Sequence, residues 1–146
     1  MNNILVNHMK FLKLLVQATL IFVGSAFTCF AYAGEPGSIY GDWDIQSIND
    51  QQLPDDIDSN LTFSEDDRLG AKAGCNMVMA SFRISQNKID IGQAAATRKM
   101  CSEDIMEYES MLFVALDSIV TFSLEKDLLI FTNEKGNKVL QASRKQ

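Results

Sequence analysis

From Gly41 onward, apolar and polar residues take turns along the chain. Trp43 and Ile45 fall on one side of an extended segment and Asp42, Asp44 and Gln46 on the other, the period-two signature of a half-buried strand. A polar loop containing Pro54 runs from Asn49 to Ser59, and Leu61 and Phe63 then alternate with Asn60 and Thr62 as far as a charged turn at Glu65, Asp66, Asp67 and Arg68. Val78, Ala80, Phe82 and Ile84 alternate with Met77, Met79, Ser81 and Arg83 in the longest predicted strand, and a turn at Gln86 and Asn87 leads into another, Lys88 to Ile91. Consecutive strands joined by short turns pair as an antiparallel meander.

At Ser102 the period changes. Ser102 has the character of an N-cap, and Glu103 and Asp104 put negative charge where the helix dipole favours it. Ile105, Tyr108, Leu112, Ala115 or Leu116, and Ile119 recur at three- or four-residue spacing, which predicts a helix of about four turns with one apolar face. Alternation returns at Val120, Phe122 and Leu124, followed by an apolar run at Leu128 to Phe131, a turn at Gly136 and Asn137, and a last strand over Val139 to Ala142. The expected architecture is a single α+β domain: a curved antiparallel sheet or open barrel packed by one amphipathic helix.

The first 33 residues follow a different rule. Lys10 and Lys13 precede a largely apolar, uncharged stretch from Leu14 to Ala33, no carboxylate occurs before Glu35, and Ala31 and Ala33 flank Tyr32 ahead of Gly34. This is the layout of a signal peptide over residues 1–33, with Met9 an alternative start, and it predicts a periplasmic or secreted domain over 34–146. A retained membrane anchor is the other reading, because the apolar stretch is about long enough to cross a bilayer. Phe27 and Thr28 fit a lipidation site at Cys29 poorly.

Without Lys10 and Lys13, 11 basic residues face 19 acidic ones, a net charge of −8 against −6 for the whole chain. Such a domain repels phosphate backbones and anionic headgroups, which argues against nucleic acid or lipid surfaces as partners. Cys75 and Cys101 are the two cysteines of the 34–146 region. In an oxidising compartment an even pair in a small domain predicts a disulfide, and at a separation of 26 residues the chain-entropy model assigns it about 3.5 kcal/mol.

The candidate chemistry is sparse. The single histidine is His8, so the 34–146 region holds no imidazole for general-base catalysis or metal ligation. Two carboxylate pairs, Asp42 with Asp44 and Glu107 with Glu109, have the residue types of a glycosidase acid and base, but i, i+2 spacing on an alternating strand places Asp42 and Asp44 on a solvated edge. Asp56, Asp58 and Asn60 have the spacing of an EF-hand start, yet Leu61 stands where glycine is needed and Asp67 where glutamate closes the loop. Met77, Met79, Met100, Met106 and Met111 include enough thioethers to raise soft-metal binding; a core, gap-filling role is the expected one. No catalytic residue, metal ligand or cofactor is therefore assigned.

Several of these positions together resemble the META domain, the family of HslJ-like small envelope proteins. The resemblance rests on Gly41, Asp42 and Trp43; Ser47, Ile48 and Asn49; Leu61, Thr62 and Phe63; Gly74, Cys75 and Asn76; Thr97 through Cys101; Glu107; and the strand from Leu128 to Thr132. Ala71, Lys72 and Ala73 depart from the glycine- and serine-rich turn expected before Gly74. The motif residues Gly41, Trp43, Gly74, Asn76 and Thr97 read as structural, stapling the helix N-terminus to the sheet together with Cys75 and Cys101. The resemblance implies a non-enzymatic accessory or binding protein of envelope stress and antibiotic tolerance, contacting an envelope protein or an apolar ligand. A secreted inhibitor of a basic hydrolase such as lysozyme is the alternative, since opposite charge speeds encounter.

Overall fold

The computed structural model describes residues 38–146. The expected signal peptide over residues 1–33, with Lys10, Lys13 and Cys29, lies outside them. Among the described residues no helix is long and apolar enough to cross a membrane.

Among the described residues, ten strands and one helix follow in the order β1 (Gly41–Ile48), β2 (Gln51–Gln52), β3 (Ser59–Ser64), β4 (Arg68–Ala73), β5 (Met77–Ser85), β6 (Lys88–Ile91), β7 (Ala95–Ala96), α1 (Glu103–Ser118), β8 (Thr121–Glu125), β9 (Leu128–Thr132) and β10 (Lys138–Arg144). Every pairing is antiparallel, and each main strand lies beside its neighbours in sequence. The meander expectation holds, but the open-barrel form does not. β10 returns to β1 with Trp43 opposite Arg144 and Ile48 opposite Leu140, closing eight strands into a barrel, while β2 and β7 are short additions. Closure leaves no long free edge between the first and last strands. The loosest join is β6 to β8, which share a single register pair, Lys88 with Thr121.

β4 is a strand that the alternation did not announce. Leu69, Ala71 and Ala73 point inward and Arg68, Gly70 and Lys72 outward, but small residues have weak strand preference. Two long neighbours supply the pairing instead: Phe63 sits opposite Leu69, and Leu69 opposite Ala80. The charged turn expected to run through Arg68 thus ends at Asp67, whose φ is +60°.

An eight-stranded barrel has an interior just wide enough to be filled by side chains. Trp43, Phe63, Phe82 and Phe131 are the largest of them, with Phe63 edge-on to Phe82 at 5.1 Å between ring centroids and stacked on Phe131 at 5.9 Å. α1 adds Leu112, Ala115 and Leu116, all fully buried, so its apolar stripe plugs the barrel. Its start falls where Ser102 predicted, although the Ser102 hydroxyl makes no capping bond.

The methionines correct the core expectation. The barrel interior takes the Val78 and Phe82 face of β5, which leaves Met77 and Met79 outside, and Met100 and Met106 are exposed as well. Met111 alone among the five packs against the core.

Candidate functional site

The family-motif residues assemble into two clusters. In the first, β4 ends at Ala73 and the chain turns through Gly74 at φ +118°, a region open to glycine at little cost. A β-carbon on Gly74 would stand 2.4 Å from Ile105 Cγ2, so the missing side chain lets the first turn of α1 close on the strand end. Cys75 is disulfide-bonded to Cys101, with 6.5 Å between their Cα atoms, inside the usual range.

Asn76, buried, is the centre of this cluster. Its Nδ2 donates to Glu109 Oε2 at 2.8 Å and to the Lys99 carbonyl at 3.1 Å. Its Oδ1 accepts from the Lys99 N–H at 2.7 Å and from the Thr97 hydroxyl at 2.8 Å. Both donors and both lone pairs of the amide are thereby used. Thr97 Oγ1 in turn accepts from the Met77 N–H at 3.1 Å, and Glu109 Oε1 accepts from the N–H groups of Cys75, at 2.8 Å, and Asn76. Partial burial works to raise the Glu109 carboxyl, but the Asn76 side chain and the two backbone N–H groups outweigh it and hold it below the ordinary carboxylate range. With its oxygens engaged and its basicity lowered, Glu109 is a structural anion. The staple between helix entry and sheet is therefore built mainly by Asn76 and Glu109 alongside the disulfide.

The second cluster closes the barrel. Trp43, fully buried, donates its indole N–H to the Ile39 carbonyl at 2.7 Å, and the Arg144 guanidinium lies 4.2 Å from the Trp43 ring centroid. Arg144 also donates to the carbonyls of Tyr40, at 3.2 Å, and Ser38. Gly41, at φ +115°, leaves room for it: an added β-carbon would sit 3.3 Å from Arg144 Nη1.

The other sequence candidates disperse. Asp42 is exposed and accepts from the Thr62 hydroxyl at 2.6 Å, while Asp44 faces Lys145 at 4.0 Å. Glu107 is exposed and Glu109 turns to the 75–76 backbone, as i, i+2 positions of a helix do. Asp58 pairs with Lys72, and that contact first of all holds its carboxyl below the usual value; Asn60 donates to it at 3.4 Å.

Sequence reasoning weighed Glu109 only as half of a carboxylate pair and Lys99 only within the Thr97 to Cys101 stretch, missing the part both play in the staple, and it did not single out Arg144 at all. For Glu109 a signal existed: counting four residues on from Ile105 gives 109, so a carboxylate stands within the inward stripe between Ile105 and Leu112. Arg144 had none, since its partner Trp43 lies at the other end of the chain.

Two grooves remain. One, of about 320 Å³, is lined by Ile91, Gly92 and Ala94 after β6 and by Phe113, Val114 and Asp117 of α1. It lies where the chain steps away from β5, with Gly92 N–H donating to the Ser81 carbonyl at 2.8 Å. The other, of about 300 Å³, is polar and includes Asp44, Gln46, Asp55 and Asp58.

The sequence profile of the META domain matches residues 38–146. Among solved structures, the chain is similar to an NMR structure of a protein from Burkholderia xenovorans, with a TM-score of 0.60 and 19% identity over 73% of this chain and 82% of that one. It is also similar to a DUF4847 family protein from Bacteroides vulgatus, with a TM-score of 0.54 and 15% identity over 72% and 92% of the two chains. At these identities the likeness establishes the fold alone. No curated protein matches. Because the profile spans residues 38–146, most of the chain, the chain belongs to the META domain family.

Proposed function

We propose that this is a non-enzymatic binding domain, exported to the periplasm or beyond, that acts in the envelope stress response by noncovalent contact with an envelope protein or apolar ligand. The observation that carries the reading is the apolar groove between the β6 end and α1, where Phe113 and Ile91 form the walls and Val114 stands 63% exposed at the side. Concave apolar surface with few polar groups is the form that binding sites take. The saturated Asn76 and Glu109 network and the absence of histidine from residues 34–146 support a role without catalysis.

Photocrosslinking from position 114 in envelope extract tests this. A discrete product that disappears in a Phe113→Ser background is the expected result. The same diffuse products from position 114 and from the exposed Glu134, which is not part of this groove, unaltered by Phe113→Ser, overturn the reading.

The acidic residues on the second groove support an alternative, inhibition of a basic hydrolase such as lysozyme. Asp44 and Asp58 there are already paired with Lys145 and Lys72, leaving Asp55 as the unpaired carboxylate among those three. Full lysozyme activity in a large excess of the protein rules that alternative out.

A further inference from the structure

β6 is paired along one edge only. Its four residues face Ser85 to Phe82 of β5, but toward β8 the register holds Lys88 opposite Thr121 and nothing more. Successive residues of a strand turn their backbone polar groups to opposite edges. Ile89 N–H donates across the seam to the Val120 carbonyl at 3.1 Å, and Gly92 N–H donates the other way, to the Ser81 carbonyl at 2.8 Å. Ile91 therefore turns its N–H and C=O to the seam, at a point where β8 has given way to the end of α1. Neither group has a backbone partner there among the described residues, and neither does the Ala94 N–H farther along.

This open edge is one wall of the apolar groove. Ile91 and Ala94 stand on that side, and Phe113, Val114 and Leu116 of α1 on the other. At about 320 Å³, the groove lies at the low end of ligand cavities, so it takes one or two side chains rather than a folded partner's face. The helix wall is acidic: α1 carries Glu103, Asp104, Glu107, Glu109 and Asp117 and no lysine or arginine. Glu107, Ser110, Val114 and Asp117 form one exposed stripe at three- and four-residue spacing. None of the α1 carboxylates joins an ion pair among the described residues, and no basic residue in the last turn offsets the negative end of the helix dipole. Asp117 also borders an adjoining groove that holds Glu134 and Lys135. On the strand side, Asp90 is already matched by Arg83 opposite it.

We infer that this seam takes an extended basic segment of a partner protein, which pairs with the free edge of β6 at Ile91, sets an apolar side chain between Ile91 and Phe113, and brings a lysine or arginine to Asp117. The inference rests on the binding role proposed for this groove and names the partner's chemistry. In strand addition, main-chain hydrogen bonds supply affinity and pockets for alternate side chains supply specificity. The period of two suits the groove: one residue points into the apolar space while its neighbours reach the rim. Acidic α1 and the acidic net charge of the domain select a basic segment over an acidic one and speed its arrival.

The test titrates the purified, disulfide-bonded protein with two capped heptapeptides, one of alternating lysine and leucine and one of alternating glutamate and leucine, with amide exchange read residue by residue by NMR. In the free protein the Ile91 amide should exchange faster than that of Ile89, which is bonded to Val120. Saturation with the basic peptide should slow Ile91 exchange by about tenfold or more. The basic peptide should bind at least about tenfold tighter than the acidic one at low salt, and the preference should shrink as salt is added. Asp117→Asn should weaken binding by up to about fivefold. Val114 is exposed, so Val114→Lys keeps the fold, and its like charge in the groove should weaken the basic peptide by at least about tenfold. No binding of the basic peptide overturns the inference. So does equal binding of the acidic peptide, an Ile91 amide that exchanges as fast at saturation as before, binding untouched by Val114→Lys, or a peptide-free dimer that already protects Ile91. A Phe113-dependent crosslink from position 114 alongside any of these results keeps the binding domain and removes the basic strand partner; the absence of both removes the two together.

Discussion

Replacing Glu109 by glutamine keeps the size of the side chain and removes its charge. In the parent, Oε1 accepts from two backbone N–H groups and Oε2 from the Asn76 amide. An amide has one oxygen. If it stays on the Cys75 and Asn76 N–H groups, its NH₂ confronts the Asn76 NH₂, donor against donor. One charge-assisted hydrogen bond is lost and two are weakened. At about 1.5–3 kcal/mol for a bond to a charged group, and allowing for relaxation, the cost is about 2–3 kcal/mol, or roughly 10 °C in Tm for a domain of this size. The effect depends on pH with a definite sign. The Glu109 pKa is depressed in the folded state, so its contribution is fully present above the unfolded carboxylate value and is lost as pH falls through the folded one. Urea unfolding followed by the fluorescence of Trp43, the single tryptophan and a fully buried one, measures both quantities. The stability gap between parent and Glu109→Gln should be full at pH 6–7 and should shrink from about pH 4.5 downward. A gap below about 0.5 kcal/mol at pH 7, or one equally large at pH 3, would refute the placing of Glu109 as the anion that binds α1 to the strand end.

Gly74→Ala combines a positive φ with a β-carbon 2.4 Å from Ile105 Cγ2; it should destabilise by about 2–4 kcal/mol in urea, and a second change, Ile105→Ala, should recover only the steric part. Cys75→Ser should lower stability by about 3.5 kcal/mol, reductant should do the same to the parent, and an unchanged Tm in both would remove the disulfide from the staple. Arg144→Ala should cost about 1–2 kcal/mol and shift Trp43 emission. Arg144→Lys should not restore it, because an ammonium lacks the planar fork that stacks on the ring while donating to Tyr40 and Ser38.

Local periodicity made much of this molecule legible in advance. Period two at Trp43 and Ile45, at Leu61 and Phe63 and at Val78 through Ile84 named strands and their inward faces, and the switch to three- and four-residue spacing at Ser102 located α1, because burying one face of an element writes that element's period into the sequence. Once the family resemblance singled out Gly74, Cys75, Asn76 and Thr97, they were readable as a staple, because a turn glycine, a paired cysteine and a small amide each answer a backbone need. Other features belong to distance in space. β4, with Ala71, Ala73 and Gly70, is a strand because β3 and β5 flank it, and the barrel closes because Trp43 meets Arg144 from the far end of the chain. Glu109 acquires its role from the Cys75 and Asn76 N–H groups that folding brings to it. The methionines mark the boundary most clearly. Alternation put Met77 and Met79 with Ser81 and Arg83 on one face of β5 and Val78 and Phe82 on the other, whereas residue type alone argued for a core, gap-filling role for the thioethers. Only barrel closure, which has room inside for one set and filled it with aromatic rings and the α1 stripe, decided that the thioethers face solvent.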